Sequence, residues 1–139
     1  MLYAFTNTNQ SLNANDTVKF NNIGVRYGRS ATLSAGSGVV SINTPGYYLV
    51  HFNADVAAAA ANVTVQLQKD GVPVTGASAT TSSTALTDIQ NLSFTALVFV
   101  GSNCSCKCLE NNLPATLTFV NSDAAASFTN AAVTITRVA

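Results

Sequence analysis

The chain has no tryptophan, one histidine, one methionine and three prolines, and only 9% of its 139 residues are charged. A soluble monomer usually carries about a quarter charged residues. Six basic side chains balance six acidic ones, for a formal net charge of zero. With no net charge, no overall field is expected to gather a phosphate backbone, which argues against nucleic-acid binding. Apolar runs are short, the longest being Val56 to Ala61 and mostly alanine. None approaches the roughly 18 residues of a membrane-crossing helix, so membrane insertion is not expected. The N-terminal Met1-Leu2-Tyr3-Ala4-Phe5 lacks a basic leader and runs into Thr-Asn-Thr-Asn, so a protein working without Sec-type export is expected.

Hydrophobic residues make up 47% of the chain and mean hydropathy is +0.27. With so few charges, that apolar excess points to self-association. Thr, Val, Phe and Tyr dominate and turn signals recur at short intervals, the pattern of an all-β sandwich. Residues 1–139 are read as one domain, long enough to bury a core without staples. Strands are expected at Leu2–Phe5, Thr17–Phe20, Val39–Ile42, Tyr47–Val56, Asn62–Lys69, Val72–Val74, Asp88–Val100, Cys104–Leu109, Leu113–Val120 and Ala131–Val138. Asp70-Gly71 is a hairpin turn, and Pro73 marks an edge strand. Gly76 to Thr84 reads as a mobile small-residue loop, and tight loops are expected at 57–61 and 123–127.

The stretch Pro45-Gly46-Tyr47-Tyr48-Leu49-Val50-His51-Phe52 is apolar on both strand faces. Tyr48, Val50 and Phe52 share one face and Tyr47, Leu49 and His51 the other. Such a strand needs protein on both sides, a sandwich core and a subunit interface. The interface is expected from Tyr48, Val50 and Phe52, with Phe20, Phe119 and Ile135.

Four motifs now fall in order. They are Val40-x-Ile42-Asn43-x-Pro45-Gly46-Tyr47-Tyr48-x-Val50-x-Phe52, Val63-x-Val65-Gln66-Leu67-x-Lys69-Asp70-Gly71, Leu117-x-Phe119-Val120-Asn121 and Ala131-x-Val133-Thr134-Ile135-x-Arg137-Val138. Together they resemble the jelly roll of the complement one-q globular heads and the tumour necrosis factor superfamily. The bacterial and phage branch, including the heads of collagen-like spore-surface glycoproteins, is most similar. The resemblance implies a ten-stranded two-sheet jelly-roll sandwich forming a homotrimer, its interface supplied by the sheet that holds the aromatic strand.

Little in the chain reads as chemistry. Cys104, Cys106 and Cys108 share one strand face, and packing is expected ahead of an inter-chain disulfide or a thiolate cluster for zinc. His51 sits mid-strand with no nucleophile-elbow motif in the chain, so a packed, hydrogen-bonded histidine is expected rather than a catalyst. Asp16, Asp55, Asp70, Asp88, Asp123 and Glu110 are scattered, one per loop. That makes a poor calcium cage, so capping or solvated roles are expected, Asp55 and Asp88 meeting at one end. Arg26-Tyr27-Gly28-Arg29 reads as an exposed basic loop tip ahead of a ligand surface. No catalytic residue, metal or cofactor is assigned. The reading is a non-enzymatic trimeric structural or recognition module, a phage virion surface protein serving as capsid decoration or fibre head. The alternative is an adhesive bacterial or spore-surface head domain, with a carbohydrate-binding module a third. The expected partners are its own copies, a capsid, fibre or cell-surface scaffold, and a glycan or protein receptor.

Overall fold

The structure, a computed structural model, describes residues 1–101 and 114–139. The described residues form eleven strands and no helix: β1 (Leu2–Thr6), β2 (Gln10–Leu12), β3 (Asn22–Arg26), β4 (Ala31–Thr32), β5 (Val40–Ile42), β6 (Gly46–Ala57), β7 (Ala61–Lys69), β8 (Val72–Ser83), β9 (Gln90–Val100), β10 (Ala115–Asn121) and β11 (Ala126–Arg137). Among the described residues no helix is long and apolar enough to cross a membrane. Two antiparallel sheets pack face to face. One runs β3-β1-β11-β6-β9, with β2 also paired to β11; the other runs β4-β5-β10-β7-β8.

Alternation along the strands builds the core. In β6, Tyr48, Val50, Phe52, Ala54 and Val56 point inward, while Tyr47, Leu49, His51 and Asn53 point out. In β7, Val63, Val65 and Leu67 point inward to meet them. Phe52 lies flat against Phe119 with centroids 4.8 Å apart, and Phe20 meets Phe119 edge-on at 6.0 Å. Such aromatic pairs add to simple burial. The phenol of Tyr48 closes one end of this layer by donating to the Thr44 carbonyl at 2.7 Å. A buried hydroxyl needs such a partner.

The Lys69-Asp70-Gly71-Val72 hairpin forms as the sequence indicates. Asp70 and Gly71 both take positive φ, the signature of the tight turn that matches strand twist. The Asp70 carboxylate also accepts the Thr116 amide at 2.8 Å, tying the turn to β10. Pro73 lies on β8, which is the edge of its sheet, where a missing N–H is tolerated.

Two expected elements are corrected. Gly76 to Thr84 is not a loop: β8 continues to Ser83. Its small side chains find partners on β7, with the Thr64 and Thr80 hydroxyls 2.7 Å apart and Ser82 donating to Asn62 at 2.6 Å. The Gln66 amide clasps the register shift between Gln66 and Gln68 by donating to the carbonyls of Leu67, Val74 and Ala77. An edge strand has only one neighbour to satisfy, so small residues suffice. Thr17–Phe20, in turn, is not a strand. It touches the sheets through single bridges at Thr17 and Phe20, and its side chains Val18 and Phe20 enter the core. The expected Cys104–Leu109 strand lies outside the described residues.

Candidate assembly face

The six-stranded sheet turns one face to the core and the other outward, and the outward face keeps apolar residues paired across neighbouring strands. Tyr47 lies opposite Phe99 and Leu49 opposite Leu97 in the β6–β9 ladder. The rings of Tyr47 and Phe99 sit 4.9 Å apart. Yet all four side chains are about half exposed: Tyr47 45%, Leu49 42%, Leu97 59% and Phe99 54%. On the far side of β11, Tyr3 stacks on Phe5 at 5.6 Å beside the half-exposed Val25. Threonines of β11, Thr134 and Thr136, separate the two apolar clusters.

Gly24 explains how the second cluster lies flat. A side-chain carbon there would stand 2.6 Å from the Tyr3 ring, so glycine is required for that ring to cover β3. An aromatic ring over a strand glycine protects backbone that would otherwise be open to water.

His51 is at the middle of this face. It is exposed, correcting the expectation of a packed ring, and its Nδ1 lies 2.9 Å from the Thr95 hydroxyl. Among the described residues no Ser or Cys nucleophile bonds to it. The hydrogen bond expected for it is present; its position on the outer face follows from sharing parity with Leu49.

The interface residues expected from sequence are elsewhere. Tyr48, Val50, Phe52, Phe20, Phe119 and Ile135 are each fully buried within one chain. They have no surface left to offer another protomer, because the second sheet already covers them. Their strand is the expected one, but it turns these side chains to the core and Tyr47, Leu49 and His51 outward. The face of Tyr47 and Leu49 is the one left uncovered, and Leu97 and Phe99 join it because β9 pairs with β6, a pairing that no local sequence signal specifies.

The carboxylates act locally. Asp88 accepts the Thr84 amide at 3.0 Å, the Gln90 amide at 2.7 Å and the Thr84 hydroxyl at 2.9 Å. The Thr84 backbone N–H, then the Gln90 and Thr84 side chains, hold its carboxyl below the ordinary value. Asp55 accepts instead from Asn91, at 3.0 Å, and Asn130. The two acids sit at the same end of the sandwich on separate partners. No group of three metal-ligating side chains occurs among the described residues. Cys104, Cys106 and Cys108 lie outside the described residues.

Several solved structures share this arrangement. The globular domain of zebrafish complement 1qA matches over 99% of this chain and 96% of its own, with TM-score 0.69 and 12% identity. Eiger TNF from S. frugiperda matches over 99% and 92%, with TM-score 0.72 and 12% identity. PRD1 vertex protein P5 matches over 99% and 96%, with TM-score 0.61 and 14% identity. The fold is a complement-1q and TNF-like jelly roll. No protein-family description matches the chain. No curated protein matches it in sequence.

Proposed function

We propose that this chain is a single-domain subunit of a homotrimer that closes on the outer face of the six-stranded sheet, and that it serves as a non-enzymatic structural or recognition module. The observation that carries this reading is the half-exposed Tyr47–Phe99 and Leu49–Leu97 block. Fully burying a Leu or Phe is worth about 1.5–3 kcal/mol relative to exposure, and these half-exposed side chains have about half of that still to gain. Contiguous exposed apolar area of this kind marks a contact surface. The jelly-roll fold supports threefold closure, and the vertex protein among its structural neighbours supports a place on a virion surface, as capsid decoration or fibre head. A bacterial or spore-surface head is the alternative setting, distinguished by collagen-type repeats adjoining the domain in the native protein.

Light scattering on the purified chain, with and without reductant, is the test. A mass three times the 14.3 kDa of the chain is expected. Insensitivity to reductant would assign the seal to the aromatic face, and dissociation by reductant would assign it to the cysteines. A monomer would sink the trimer.

A further inference from the structure

The charged side chains look scattered in sequence, but the topology sorts them by end. One end gathers the β3–β4 connection, the start of β6, the β7–β8 turn and the finish of β11. Among the described residues it carries Arg26, Arg29, Lys69 and Arg137 against the single Asp70. The opposite end carries Asp16, Asp55, Asp88 and Asp123. Among the described residues Lys19 carries the one remaining charged side chain, on a backbone that both donates to and accepts from the Gln10 side chain. The Lys69 ammonium donates to the Phe99 carbonyl at 2.7 Å and so is already engaged. The arginines keep their charge for something else.

Arg26 pairs with Leu2, a core residue, so its side chain points away from the apolar outer face. It turns into the gap where the open edges of the two sheets, β3 and β4, face each other. There a cleft of about 520 Å³ is lined by Arg26, Gly28, Arg29, Thr32 and Asn43. A second hollow of about 310 Å³ adjoins it through Arg26 and Thr32 and adds the hydroxyls of Ser34, Ser37 and Ser41. Asn43 holds the cleft wall together, its amide donating to the Arg29 carbonyl at 2.8 Å and the Thr32 hydroxyl at 3.2 Å. Its backbone N–H bonds the Ser30 carbonyl at 2.8 Å. Among the described residues neither the Arg26 nor the Arg29 guanidinium has a hydrogen-bond partner, and no carboxylate side chain lines either hollow.

We infer that this edge cleft binds an acidic saccharide, the guanidiniums of Arg26 and Arg29 holding its anionic groups and the hydroxyl row its ring hydroxyls. Guanidinium matches carboxylate and sulfate oxygens in a two-pronged, charge-assisted contact. Serine and threonine hydroxyls both donate and accept, as sugar hydroxyls require. The four aspartates lie at the far end, so the approaching anion meets a favourable field. The cleft stands on the sandwich edge and shares no lining residue with the Tyr47–Phe99 face. The inference is therefore independent of the trimer, which would only multiply the sites.

The test is calorimetric titration of the full chain with oligogalacturonate, a sulfated dextran oligosaccharide of similar length, neutral dextran and oligoglutamate. Binding of either acidic sugar, but not neutral dextran, is expected, and which one binds tells carboxylate from sulfate. Arg26→Gln with Arg29→Gln should weaken it at least about tenfold, the loss of a charge-assisted hydrogen bond or more. Lys19→Gln should leave it unchanged. Both variants are checked by thermal unfolding, and single substitutions replace the pair if it unfolds early. No binding of either acidic sugar, equal loss with Lys19→Gln, or oligoglutamate binding more tightly than both sugars overturns the inference, the last in favour of an acidic peptide.

Discussion

The two outer faces of this sandwich are built by the same alternation and could hardly differ more. The five-stranded sheet shows water Asn62, Thr64, Gln66 and Gln68 on β7 and Thr116 and Thr118 on β10, cross-linked by hydroxyl and amide contacts such as Thr64–Thr80. The six-stranded sheet shows Tyr47, Leu49, Leu97 and Phe99. A polar face satisfies itself and needs no partner, whereas an apolar face gains only by being covered. The contrast also bears on the low charge: threonine and glutamine solvate one face, and in the proposed trimer assembly hides the other.

Charging the apolar face should have the largest effect. Leu49→Glu with Leu97→Glu places like charges directly opposite on paired strands, and the scattering mass should fall to that of one chain. Circular dichroism should stay that of a β-sandwich, since neither side chain enters the core. Thr64→Glu with Thr80→Lys on the polar face should leave the mass unchanged. If both pairs dissociate the particle, the distinction between the faces is lost.

Next comes the layer both faces share. Phe52→Ala removes the ring stacked on Phe119 and on Phe94 at 5.5 Å and should cost about 3–5 kcal/mol of stability by chemical denaturation. If Phe52 sealed the interface instead, its loss would change the mass and leave protomer stability nearly untouched.

A smaller effect sharpens the polar side. Gln66→Ala frees the carbonyls of Leu67, Val74 and Ala77 and should cost about 1–3 kcal/mol. Amide exchange should then quicken along β8 and stay slow on β9. Uniform quickening would mean that Gln66 supports the whole sandwich rather than its edge.

The smallest expected effect lies on neither face. Asp88 is held below its ordinary carboxyl value by hydrogen bonds to the charged form. Its folded state binds the proton less readily than the unfolded chain does. Its contribution is therefore present above the unfolded-state value and lost as pH falls through the folded one. Thermal unfolding followed from neutral pH into the carboxylate range should show a shallower acid-side decline for Asp88→Asn than for the parent chain. An identical decline would remove Asp88 from the account.

Much of the fold was legible because its signals are local. Asp70-Gly71 specifies its turn by backbone conformation alone, and Pro73 announces an edge because it lacks an N–H. The misses share a cause. Gly76–Thr84 carries no apolar period, so its strand is held by contacts from β7 that only pairing supplies. Val18 and Phe20 enter the core from a segment with no ladder to periodise it.

The Tyr47–Phe52 segment divides the two kinds of knowledge most clearly. Alternation along the chain determined that Tyr48, Val50 and Phe52 would stand on one side and Tyr47, Leu49 and His51 on the other, because side chains project to opposite faces at every step. Which side became core was decided by the tertiary structure, since both sets are apolar and only the second sheet's position distinguishes them. The same holds for charge. The sequence set six cations against six anions; the antiparallel topology alone carried Arg26, Arg29 and Arg137 to one end and four aspartates to the other, because strand direction converts positions far apart in the chain into neighbours in space.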